Sequence, residues 1–179
     1  MDLDKLYKLQ AELDKTILEN EKKRTGKEID KDLLLNQTIL ALQVEVAELA
    51  NATRCFKHWS TKGPESKERI LDELADVWHF YLSIGNQLDY KLPKKFFLPD
   101  EEYNYLVGND TNIEIIFIKL FADASLLVIE GGEVNLIYYD AVGMSINILG
   151  RFLEFTEEEI EQAYLKKHEV NYRRQEEGY

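Results

Sequence analysis

Glu45-Val46-Ala47-Glu48-Leu49 and Asp72-Glu73-Leu74-Ala75-Asp76-Val77 decide the reading of this chain. Leu42, Glu45, Leu49, Ala52 and Phe56 follow steps of three and four, and Glu45 is the charged member of that stripe. Ile70, Glu73, Val77, Phe80 and Ile84 repeat the pattern with Glu73 as its acid. This period specifies two helices, from Asp32 or Leu33 to Phe56 and from about Glu65 to Leu88. Thr61-Lys62-Gly63-Pro64 breaks the chain between them, and so short a break makes them antiparallel neighbours. Residues three apart share a helix face, so each segment presents a pair of acids. Together the pairs gather Glu45, Glu48, Glu73 and Asp76. Buried charge must be paired or bind metal, and carboxylate oxygen suits Mg²⁺. The competing reading leaves the acids solvated or salt-bridged at the stripe edges. Zinc fits less well, because His58, His79 and the lone Cys55 form no closely spaced ligand set.

Outside these segments the helical period persists. Leu3, Leu6, Leu9, Leu13 and Ile17 mark a first helix to about Asn20. Residues 90–112, punctuated by Pro93, Pro99, Gly108 and Asn109, read as a mobile, irregular insertion. Residues 113–129 are an apolar helix, Gly131-Gly132 a turn, and residues 133–153 another helix. Thr156 with Glu157, Glu158 and Glu159 is an N-cap with acids in the first turn, opening a last helix to about Gln175. The expected class is an all-α helical bundle in one domain spanning residues 1–179.

The chain has 179 residues, a formal net charge of −12 and 45% hydrophobic content, enough for one sizeable core. That charge argues against general nucleic-acid binding, which needs a basic footprint. It also means that an anionic substrate needs metal ions or local cations to offset the field. A single cysteine excludes an internal disulfide and fits a reducing, cytoplasmic setting. No apolar run approaches a membrane span, and the first residues lack the pattern of a signal peptide.

Lys167, Asn171 and Arg174 fall at i, i+4 and i+7 on one face of the last helix. Two cations and an amide there make a phosphate clamp, or else a basic turn complementing the helix dipole. Phe56, His58 and Trp59 follow the first acidic pair, and Trp78, His79, Phe80 and Tyr81 the second. They offer a planar base a stacking surface, or they are core. Gln10 and Asp14, four apart, either read a base edge or form a polar surface. No Gly-x-x-x-x-Gly-Lys loop is present, so a carboxylate-held cation, not a P-loop, would carry any phosphate chemistry.

Taken together, Leu9 to Asp14, Glu45 to Leu49, Phe56-Lys57-His58-Trp59, Glu73 to Phe80 and the tail from Lys167 to Tyr179 resemble the dimeric dUTPases of bacteria and their phages. These belong to the MazG-like, all-α NTP pyrophosphatases. The two acidic motifs alone indicate only that superfamily, whereas the Lys-His-Trp segment and the tail look specific to the dimeric dUTPases. The resemblance implies hydrolysis of dUTP to dUMP and pyrophosphate, with Mg²⁺ held by Glu45, Glu48, Glu73 and Asp76. It implies that Glu45 activates the attacking water. Lys167, Asn171 and Arg174 would bind phosphates and sugar, and Gln10 would read uracil. Trp59 and Phe80 would pack on the nucleoside, and His79 would contact the deoxyribose. A homodimer with composite sites is implied as well. Two positions depart from the pattern, Asp14 and His168, each where relatives often carry Asn. A carboxylate only accepts hydrogen bonds, whereas an amide also donates. Two other readings remain open: a sister enzyme preferring dCTP or a broad range of nucleotides, and a helical interaction protein that binds a regulator, with residues 90–112 as its surface.

Overall fold

The computed structural model describes residues 1–93, 99–108, 111–128 and 135–178. These hold seven helices: α1 (Leu3–Thr25), α2 (Lys31–Thr53), α3 (Lys67–Gln87), α4 (Asp100–Val107), α5 (Ile113–Ser125), α6 (Leu136–Phe152) and α7 (Glu157–Glu176). The fold is an all-α bundle. Helix α3 is its centre, packing against α1, α2, α6 and α7, while α5 pairs with α6 and touches α2. The sequence of α3 explains that position. Leu74, Val77, Trp78, Tyr81, Leu82 and Ile84 are all fully buried, so apolar side chains leave it on more than one face.

The helix ends follow their caps. Asp30, Ser66, Asn112 and Thr156 each accept a backbone N–H of the first turn, and Thr156 forms a reciprocal capping box with Glu159. Helix α2 stops at Thr53, where Arg54 turns left-handed (φ 57°), short of the expected end at Phe56. Phe56 therefore leaves the buried stripe and is exposed. Helix α1 continues past Asn20 to Thr25, where Gly26 (φ 70°) ends it in the left-handed conformation that glycine adopts most easily. The expected irregular insertion contains α4, eight residues long, and Leu92 ahead of it is buried in the core. The Gly131-Gly132 turn lies outside the described residues.

One interlock joins α1, α3 and α6. The rings of Tyr81 and Tyr139 stack with centroids 4.4 Å apart. The Tyr7 and Tyr139 hydroxyls are 2.8 Å apart, and the Leu92 amide donates to the Tyr7 hydroxyl at 3.0 Å. Gly85 makes room for this arrangement: a Cβ there would lie 2.7 Å from the Tyr90 carbonyl and 2.8 Å from the Tyr7 ring.

By length and composition, α2 is long and apolar enough to cross a membrane, although no uninterrupted apolar run reaches that length. Its Ile39, Leu42, Val46 and Leu49 are buried in the bundle core, and it carries Glu45 and Glu48. These features mark it as a core helix. Yet Leu33, Leu40 and Val44 stay exposed on its other side, and α5, which touches α2, exposes Ile115 and Ile118.

Candidate metal and nucleotide site

Antiparallel packing of α2 on α3 brings Glu45, Glu73 and Asp76 together, each offering a carboxylate oxygen within 4.8 Å of the others. Glu73 is 3% exposed, deep for a carboxylate. Burial is the main force raising the pKa of all three. Glu45 is pushed up to about 7, because Asp76, Glu48 and Glu73 add like-charge repulsion to its burial. Glu48 is exposed, one turn from Glu45, and acts on the cluster through its charge. A divalent cation would relieve this repulsion, and three oxygen donors suit Mg²⁺. The residues thus fit the ion that the sequence suggests.

Two cations already lean on the cluster. Lys167 of α7 reaches Asp76 at 2.6 Å and Asp72 at 3.1 Å. Burial alone would push Lys167 down, but these two ion pairs outweigh it and hold its ammonium above the ordinary range. Arg69 pairs with Glu73 and, at 3.3 Å, with Asp72. Sequence reasoning missed Arg69 and the role of Asp72. The signal was present, since Arg69, Asp72 and Glu73 stand at i, i+3 and i+4.

The proposed clamp is only partly drawn together. Arg174 donates to Asn171 at 3.4 Å and is exposed, although its charge is felt at Asp76. Gln10 and His79 are each 4% exposed and meet each other, with His79 Nδ1 2.7 Å from Gln10 Oε1. Tyr164 of α7 donates its hydroxyl to the same oxygen at 2.8 Å and stacks on His79 at 4.0 Å. The Gln10 amide donates to Asp14 at 2.7 Å, and Asp14 also bonds to Ser83. Phe80 is partly buried against the core, and Trp78 and Tyr81 are wholly core.

Beyond this network, further along α3, lies a cavity of about 860 Å³ lined by Asp14, Leu18, Leu34, Leu35, Asn86 and Gln87, among others. That volume falls in the range of small-molecule sites. Trp59 is 67% exposed in the α2–α3 connection, edge-on to Phe56 and His58. It therefore sits at the opposite end of the hairpin from Asp14 and the cavity of its own protomer. Neither the cavity nor this separation was visible in the motifs.

A family model described as dUTPase matches residues 2–179. A search of the curated proteins finds no match.

Proposed function

Because the chain belongs to the dUTPase family and is a dUTP diphosphatase, we propose that it cleaves dUTP to dUMP and pyrophosphate with Mg²⁺ held by Glu45, Glu73 and Asp76. The observation that carries this reading is the convergence of three carboxylates from two facing helices, with Lys167 beside them. When bound, Mg²⁺ supplies charge neutralisation and Lewis acidity toward phosphate oxygens. Glu48, one turn away on α2, adds negative charge that strengthens the hold on the cation.

The chain's own groups divide the remaining work. Among the described residues, Glu45 is the cluster member with no side-chain cation paired to it, so the carboxylate oxygen it does not give to Mg²⁺ would accept a proton from the attacking water. Lys167 and Arg174 bind phosphate oxygens, and Asn171 orients Arg174. The nucleoside extends along α3 toward the cavity, where Asp14, Asn86 and Gln87 meet the base. Gln10 and His79 support Asp14 and α7 from behind through their buried network.

The working unit is a homodimer. The exposed apolar side of α2, with Ile115 and Ile118 of α5, is the surface that a second copy would cover. Antiparallel pairing of α2 with its copy would carry the Trp59 loop of one protomer to the cavity of the other. That would make the site composite and give Trp59 a nucleoside to pack on.

Pyrophosphate release from each dNTP with Mg²⁺ tests this reading. Rapid turnover of dUTP with the other nucleotides spared is the expected result. A preference for dCTP would assign the cavity to a base that donates to the acceptor-only carboxylate of Asp14. No turnover of any nucleotide would refute the reading.

A further inference from the structure

We propose that Asp72 is a positioning residue, the shared anchor onto which Lys167 and Arg69 withdraw when a divalent cation enters the Glu45–Glu73–Asp76 cluster. This inference rests on the reading of that cluster as a metal site.

Oδ2 of Asp72 takes both cations at once, Lys167 Nζ at 3.1 Å and Arg69 Nη1 at 3.3 Å. Each cation has its other partner inside the cluster: Lys167 holds Asp76 at 2.6 Å, and Arg69 holds Glu73. The five groups form one chain, Glu73–Arg69–Asp72–Lys167–Asp76, with Asp72 in the middle. Asp72 itself lies outside the three-carboxylate set. Two of the three candidate ligands are therefore held by tethered cations, and an incoming ion has to displace them.

Displacement raises a physical problem at Lys167. Its side chain is 14% exposed, and a buried ammonium that loses its partner pays a large desolvation cost. Asp72 removes most of that cost, because Lys167 keeps one carboxylate when it releases Asp76. The anchor also keeps the ammonium beside the cluster, freed from one acid and ready for an anionic ligand. Filling the metal site and presenting a phosphate-binding cation thereby become a single coupled event. Arg69 comes from the same helix as Asp72, at i and i+3, so the anchor needs no movement of the backbone.

The coupling is tested by titrating the protein with Mn²⁺ alone, without nucleotide, and following the free ion by electron paramagnetic resonance. Four proteins are compared: unsubstituted, Lys167→Met, Asp72→Asn and the double variant. Lys167→Met should tighten Mn²⁺ by about threefold or more, and Asp72→Asn should weaken it by a similar factor. Through-space charge alone would give those two signs as well, so the double variant decides. If Asp72 acts through Lys167 as well as through Arg69, its substitution weakens Mn²⁺ clearly less once Lys167 is gone. Equal weakening by Asp72→Asn in both backgrounds would overturn the proposal, as would Mn²⁺ affinity that Lys167→Met leaves unchanged or lowers. Lys167→Gln serves in place of Lys167→Met if the methionine variant does not fold. Absence of Mn²⁺ binding by the unsubstituted protein would remove the metal reading itself, a separate and recognisable result. In turnover, Asp72→Asn should raise the Mg²⁺ concentration for half-maximal rate more than it raises KM for the nucleotide.

Discussion

His79 Nδ1 faces Gln10 Oε1 at 2.7 Å inside the α1–α3–α7 interface, and burial lowers the pKa of this imidazole to about 3. An unfolded histidine titrates near 6.5. Between those values the unfolded chain binds a proton that the folded ring refuses, so His79 costs stability as pH falls below 6.5. The slope is about 1.4 kcal/mol per pH unit. Glu45 pulls the other way, because its raised pKa favours the folded state as pH falls from 7. The His79 part is isolated by comparing unsubstituted protein with His79→Gln in urea melts from pH 7.5 to 5. The stability gap should narrow steadily toward the acid side; a gap independent of pH would mean that the ring is not held neutral.

Glu45 and Glu48 should respond differently to substitution. Glu45→Gln removes a cluster ligand and the proton acceptor, and kcat should fall on the order of 100-fold. Glu48→Gln removes an exposed charge one turn away, so its main effect should be a higher Mg²⁺ requirement. Steady-state rates across a Mg²⁺ series measure both, and a greater loss of kcat in Glu48→Gln would reverse the assignment.

Arg174 is exposed, and its hydrogen bond to Asn171 is long at 3.4 Å. Arg174→Ala should therefore raise KM by about tenfold while kcat changes little, the signature of uniform substrate binding. Unchanged KM would remove Arg174 from the phosphate clamp.

Gly85→Ala should destabilise the protein by about 1–3 kcal/mol, because the added methyl enters the packed Tyr7–Tyr90–Tyr139 interlock. In an open helix the same change would stabilise by up to about 1 kcal/mol. The sign of the shift in a thermal melt therefore reports whether that interface is as tight as the structure has it.

Leu40→Asp and Ile118→Asp place a charge on the exposed apolar side of α2 and α5. Sedimentation should show the unsubstituted protein as a dimer and each variant shifted toward monomer, with helical content retained. Turnover should fall together with the dimer fraction. Variants that sediment like the unsubstituted protein would move the subunit interface elsewhere.

The helices and the acidic cluster were legible in the sequence because both depend on local spacing. A 3.6-residue period placed α2 and α3, and of the four acids three apart the structure brings Glu45, Glu73 and Asp76 together, while Glu48 stays exposed one turn away. Phe56 was misplaced because a stripe does not announce the left-handed turn at Arg54 that ends α2. Helix α4 was missed because two prolines and the Gly108-Asn109 pair masked an eight-residue helix between them. The buried pairing of Gln10 with His79 spans 69 positions, and no short motif encodes such a contact. The cavity is likewise a product of how α1, α2 and α3 diverge, which single-helix patterns do not record.

Asp76 and Gln87 stand eleven residues apart on one unbroken helix, α3. At 1.5 Å per residue that separation is about 16 Å, and no loop intervenes to stretch or shorten it. The helix is a ruler: the carboxylates mark one end and the cavity the other. A nucleotide that used both, as proposed, would have to span that length. With the base in the cavity, selection by length would precede any selection by base shape, and a substitution that kinks α3 would miscalibrate both ends together.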